Sequence, residues 1–125
     1  MSEDLEHIAP AIGGHIESVV VDDDKVTIGI VGLGRLTIQD RGQSCCEKRY
    51  MTCDDDLAGF VGAEFLGAHV AAAPNAPGEY EEHEIEFLVI RTSSGDINIA
   101  NHNEHNGYYG GFDVRADWHP AHRRN

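Results

Sequence analysis

The chain has 125 residues, 41% of them apolar, which suits one folded domain with a real core and argues against a disordered protein. Its net charge of −13, from nine basic against 22 acidic residues, argues against binding a nucleic acid polymer or an anionic membrane surface. No apolar run reaches the ~20 residues that cross a bilayer, and the acidic start is unlike a secretory signal; we therefore expect a soluble, cytoplasmic protein.

The first third of the chain predicts short strands joined by turns. Residues 1–11 form either a short helical turn or a loose N-terminal arm. Apolar residues at 19–21 and the alternating stretch 26–30 flank three aspartates at 22–24, which predicts a hairpin with an acidic turn. The glycines at 32–34 mark a second turn, and Leu36 and Ile38 then lie on one face of a third strand.

The middle of the chain adds three strand candidates and one short helix. Residues 44–53 contain Cys45, Cys46 and Cys53, and because this number is odd in a chain without an export signal, we expect reduced thiols. Three aspartates ahead of Leu57 predict one short helix near residues 54–61, since carboxylates favour a helix N-terminus. Strands at 64–70 and 83–92 follow, and the second is apolar on both faces, as in the centre of a sheet.

The segment 102–112 concentrates histidine, asparagine and tyrosine around Asn106-Gly107, the strongest short hairpin signal in the chain. A two-residue turn there would pair Ile99 with Val114. One face of the hairpin would be apolar far from the turn and polar close to it. This change of character predicts either a polar hairpin whose side chains bond only the backbone, or a pocket for a ligand, or a metal site.

A ligand pocket is the first functional hypothesis, with no catalytic residue assigned. The candidate ligand-binding residues are Asn101, His102, Asn103, Glu104, His105, Tyr108, Tyr109, Cys46 and Glu47. The tyrosine rings would stack on a small polar ligand while the amides and imidazoles bond it. An arginine, Arg41, Arg49 or Arg91, would counter the charge of an anion.

Two other kinds of function stay open. A metal-dependent hydrolase would hold zinc or iron with His102, His105 and Cys45, and Glu104 or Glu47 would act as general base. On a strand the two histidines point to opposite faces, so one metal would need a ligand from elsewhere. Alternatively, the chain is a structural module that forms a homo-oligomer by pairing sheet edges.

Several segments resemble a family of small proteins of unknown function found in bacteriophages, prophages and bacteria. The resemblance rests mainly on the GQ-CCE signature at 42–47 and the HNEHNGYYGGF signature at 102–112, and it extends from Ile12 to about Val114. Residues 32–34 depart from the acidic-glycine turn that is usual in the family. The resemblance implies a small, cytoplasmic, phage-associated accessory protein, which would act in the host cytoplasm if it is phage-encoded. Our functional hypothesis is that this protein binds a small polar ligand or a host protein without catalysis. The resemblance implies no established activity, and we hypothesise that the Cys and His signatures meet in space.

These patterns together predict a single, mainly β domain over residues 1–125. We expect an antiparallel curved sheet or small barrel with one short helix, with an α+β fold as the alternative, and a polar tail at 117–125. The predicted core consists of Val20, Ile28, Ile30, Leu36, Ile38, Phe87, Val89, Ile97, Ile99, Phe112 and Val114.

Overall fold

The computed structural model describes residues 5–41, 48–72, 82–105 and 112–121, and these residues form eight strands and two 3-10 turns. The strands are β1 (Ile16–Val21), β2 (Lys25–Ile30), β3 (Gly34–Asp40), β4 (Lys48–Cys53), β5 (Phe65–Ala72), β6 (Glu82–Thr92), β7 (Gly95–His105) and β8 (Val114–Pro120). The 3-10 turns are Ala9–Ala11 and Leu57–Phe60. The predicted mainly β fold is confirmed.

The strands form two four-stranded antiparallel sheets. Sheet one has the order β1-β2-β3-β8, and sheet two has the order β4-β7-β6-β5. In sheet two, β5, β6 and β7 follow one another and β4 lies beside β7, which is a Greek-key arrangement. The chain crosses to sheet two after β3 and returns after β7. The part of the chain that is described does not close into a barrel, so that alternative of the prediction is wrong.

Alternating apolar residues bury one face of each sheet against the other. Ile28 and Leu36 of sheet one and Ile97 and Ile99 of sheet two are fully buried in one shared core. Each such aliphatic side chain contributes about 1.5–3 kcal/mol when it leaves water. The predicted core is confirmed at seven positions, which are Ile28, Ile30, Leu36, Ile38, Val89, Ile97 and Ile99.

Two predicted core residues are exposed. Val20 is 50% exposed because it lies opposite Thr27 on the outer face of sheet one. Phe87 is 37% exposed because it alternates with the buried Leu88 and faces outward from sheet two. Phe112 and Val114 are half-buried.

The predicted pairing of Ile99 with Val114 is wrong. Ile99 lies opposite Cys53 of β4 and Leu88 of β6, whereas Val114 lies opposite Asp40 in the other sheet. The strands on either side of Asn106-Gly107 therefore belong to different sheets; the dipeptide itself lies outside the described residues. The asparagines at 101 and 103 still share the inner face of β7 with Ile99, as the strand alternation predicts.

The remaining predictions concern the helix and the two ends of the chain. The helix expected at 54–61 is only the 3-10 turn Leu57–Phe60, which ends because the backbone of Val61 is extended, with ψ of 129°. The described part of the predicted N-terminal arm contacts β5, since Leu5 N–H donates to the Ala68 carbonyl at 2.8 Å. The predicted polar tail begins too early, because β8 continues to Pro120. Across the ranges described, no helix is both long enough and apolar enough to cross a membrane.

Candidate functional site

A buried ion pair joins the two sheets. Arg49, at the start of β4, donates from Nη1 to both carboxylate oxygens of Asp40, at the end of β3, over 2.9 and 2.7 Å. Their side chains are only 7% and 3% exposed. Asp40 continues the inner face that Leu36 and Ile38 begin, and Arg49 lies on the same face of β4 as the buried Met51. Strand alternation therefore turns both charges into the interior.

The Asp40 carboxylate also binds two further segments of the chain. Asn101 of β7 donates from Nδ2 to one oxygen at 3.0 Å, and the backbone N–H of Asp113, just before β8, donates to the other at 3.2 Å. With the two bonds from Arg49, the carboxylate accepts at least four hydrogen bonds. A buried ion pair is tolerated only when such bonds satisfy the remaining lone pairs, and here they do so while linking β3, β4, β7 and the approach to β8.

A cleft of about 420 Å³ lies beside this ion pair. The residues that line it are Asp23, Asp24, Gln39, Asp40, Arg41, Arg49, Tyr50 and Asn101. The turn between β1 and β2 forms one wall, and it is held against β4 because Met51 N–H donates to the Asp23 carbonyl at 2.8 Å. Residues from both sheets therefore surround one polar cavity.

Asn101, one of the residues that line this cleft, carries a buried hydrogen-bond acceptor that is unsatisfied. The residue is only 1% exposed, and its Nδ2 is used by Asp40, but its Oδ1 has no hydrogen-bond partner among the described residues. A buried acceptor without a donor costs about 1–3 kcal/mol. Asn101 is also the predicted ligand-binding residue that lines the cleft.

His102 and Glu104 lie on the opposite, outer face of β7. The His102 ring stacks on Tyr50 of β4, with centroids 4.5 Å apart and planes 7° from parallel, and its Nε2 lies 2.8 Å from Thr52 Oγ1. A hydrogen bond from the Tyr50 hydroxyl to Glu104, with burial and the negative charge of Glu104, raises the pKa of Tyr50 to about 12. These residues form an outer cluster distinct from the inner face that holds Asn101 and the buried Asn103.

The other predicted site residues lie outside what the structure describes. They are Cys45, Cys46, Glu47, Tyr108 and Tyr109, together with the side chain of His105. Within the described ranges, no group of three or more His, Cys, Asp or Glu side chains is placed to hold a metal ion. The proposed zinc or iron ligands thus stay a prediction.

Two of the arginines expected to counter an anion already face carboxylates. Arg49 binds Asp40, and Arg41 forms an ion pair with Asp117 of β8. Sequence reasoning missed the Asp40–Arg49 pair itself. The available signal was the alternation of inward and outward side chains along a strand. This alternation puts one charged residue at an inward position of each of two strands, and a buried charge requires a partner.

A family model for DUF7448, a domain of unknown function, matches residues 10–114, and the chain belongs to this family. Comparisons with curated proteins and with solved structures gave no match. The matched range includes β1 to β7 and every residue that lines the cleft. The family match assigns no activity to these residues.

Proposed function

We propose that this protein is a non-catalytic binding protein that takes a small polar ligand in the cleft between its two sheets. The observation that carries the proposal is the buried Oδ1 of Asn101, which has no donor among the described residues. Buried polar atoms in proteins are nearly always hydrogen-bonded. A ligand N–H or O–H group in the cleft satisfies this acceptor, and a cleft of about 420 Å³ is large enough for a small molecule.

The chemistry of the cleft favours binding over catalysis. Asp40 is the buried carboxylate, and the guanidinium of Arg49 and the amide of Asn101 already bond it. A general base must be able to accept a proton from a substrate, and a carboxylate held by this many donors is poorly suited to that task. The same bonds hold Asn101 in one orientation, which suits a recognition residue.

The proposal includes a biological setting. The GQ-CCE and HNEHNGYYGGF signatures resemble small phage and prophage proteins, which supports a phage-associated accessory protein acting in the host cytoplasm. In that setting the bound molecule is a small host metabolite or a polar group on a host protein.

Nuclear magnetic resonance with a library of small polar fragments tests the proposal. We expect fragments that bind to shift the side-chain amide resonances of Asn101 and the backbone amides of Gln39 and Arg49, which line the cleft. Asn101→Leu should abolish these shifts, whereas Asn98→Leu, an exposed position on the outer face of the same strand, should leave them unchanged. Circular dichroism of both variants verifies the fold. Absence of any shift at the cleft in the wild-type protein would contradict the proposal without recourse to a variant.

A further inference from the structure

We infer that the cleft takes an organic cation, a guanidinium or ammonium group, as the recognised part of its ligand. This inference rests on the proposed function and names the chemical class of the ligand. It follows from three observations, which are the charges left uncompensated at the cleft, the hydrogen-bonding character of its polar atoms and the field of the whole chain.

Both arginines at the cleft are already neutralised. Arg49 is held by Asp40, and Arg41 is paired with Asp117. By contrast, the side chains of Asp23 and Asp24 are exposed and have no hydrogen bond or ion pair with any residue that the structure describes. The uncompensated charge at the cleft is therefore two carboxylates, and their field favours a cation.

Neighbouring lysine does not cancel this charge. Lys25 follows Asp24 directly and lies opposite Gln39, but it makes no ion pair with either aspartate in the described ranges. The chain as a whole carries a charge of −13. A net negative protein with carboxylates at the edge of a cleft concentrates cations there and repels anions.

The polar atoms match a donor-only ligand group. Asn101 Oδ1 is a buried acceptor without a donor, and the carboxylates of Asp23 and Asp24 accept hydrogen bonds and donate none. Guanidinium and ammonium groups carry only donors. One such group meets the buried acceptor while its positive charge faces the two carboxylates. An anion would bring further acceptors to atoms that already lack donors.

A matched set of probes separates charge from shape. We would titrate the nitrogen-15-labelled full-length protein with n-butylguanidinium, with the neutral and nearly isosteric n-butylurea, and with butyrate. Butylguanidinium should shift the Asn101 side-chain amide and bind at least about tenfold more tightly than butylurea, and the advantage should shrink in salt because exposed charges are screened. Butyrate should not bind.

Substitutions in the turn between β1 and β2 are the second part of this binding test. The double variant Asp23→Asn/Asp24→Asn should weaken butylguanidinium binding about tenfold, since each exposed ion pair contributes up to about fivefold, and it should leave butylurea binding unchanged. Asp22→Asn is the matched control, because Asp22 is exposed in the same turn but does not line the cleft. Asparagine is a favourable turn residue, so all these variants should fold.

The outcomes distinguish this inference from the proposed function. If butylurea or butyrate binds at the cleft as tightly as butylguanidinium, the cation inference is overturned while the cleft remains a binding site. If no probe or polar fragment shifts the cleft amides, the proposed function itself is overturned. Agmatine and a capped Gly-Arg-Gly peptide then separate the two sources of the group. Tighter binding of agmatine supports a free organic cation, and tighter binding of the peptide supports an arginine side chain of a partner protein.

Discussion

Removing the guanidinium of Arg49 should destabilise the protein strongly. In Arg49→Met the Asp40 carboxylate loses two charge-assisted bonds, of 2.9 and 2.7 Å, while its side chain stays 97% removed from solvent in the native packing. Breaking a buried pair from one side costs about 3–5 kcal/mol. Because Asn101 and the Asp113 N–H still bond the carboxylate, we expect Arg49→Met to lower the free energy of unfolding by about 3 kcal/mol, the lower end of that range. This loss is measured by urea unfolding of the wild type and the variant, followed by the fluorescence of Trp118, the single tryptophan.

The control for this prediction is an ion pair of the same type at the surface. Arg115 donates from Nε to Asp113 at 2.9 Å, but the two side chains are 64% and 45% exposed, so Arg115→Met should cost less than about 1 kcal/mol. In the double variant Asp40→Asn/Arg49→Met no buried charge is left alone, and its cost should fall at least about 2 kcal/mol below the sum of the two single changes. Equal losses for Arg49→Met and Arg115→Met, or simple additivity in the cycle, would refute the reasoning.

Two further predictions concern the outer cluster and the core. Because the pKa of Tyr50 is raised to about 12, above its usual value near 10, the Tyr50–Glu104 bond should stabilise the fold fully below about pH 10 and be lost as the pH rises toward 12. Phenolate absorbance should show one tyrosine that titrates late in the wild type and is missing in Tyr50→Phe; a titration identical in both proteins would contradict this. In the core, Ile99→Ala should lower the free energy of unfolding by about 2–5 kcal/mol, whereas Val20→Ala, at a half-exposed position, should change it by less than about 0.5 kcal/mol. Similar losses at the two sites would be inconsistent with the outward orientation of Val20.

Local patterns in the sequence predicted the strands well. The aspartates at 22–24 correctly indicate the turn between β1 and β2, and the apolar character of β6 on both faces correctly places that strand inside a sheet. Partners of strands were harder to predict. Asn106-Gly107 favours a chain reversal, but a turn signal says nothing about which sheet receives the next strand. The pairing of β8 with β3 joins residues that are 74 (Asp40 with Val114) to 86 (Gly34 with Pro120) positions apart, and no local pattern in the sequence connects them.

The candidate site shows the same limit. Asn101 was predicted as a ligand-binding residue because it lies on a polar extension of an apolar face, and the structure places it at the cleft. Arg49 lies within the predicted strand at 44–53 and Asp40 lies before it, and the pairing of these two residues was not predicted from the sequence. Nine positions and a crossing between sheets separate these two residues, and no local periodicity connects them. The alternation of side chains along each strand would have shown that Asp40 and Arg49 both point inward.

The Asp40–Arg49 pair also lies among the described residues that flank the two signature segments of the sequence. Asp40 and Arg49 lie close to either end of the segment 42–47, and Lys48, which follows it, pairs with Glu104 of the second signature. On the other side, Arg41 N–H donates to the Asp113 carbonyl at 2.9 Å, just after the second signature ends. The described residues that flank the two signatures are therefore neighbours at one edge of the sandwich. The same ion pair that orients Asn101 also bonds the backbone just before β8, so Arg49→Met should displace Asn101 and Asp113 together.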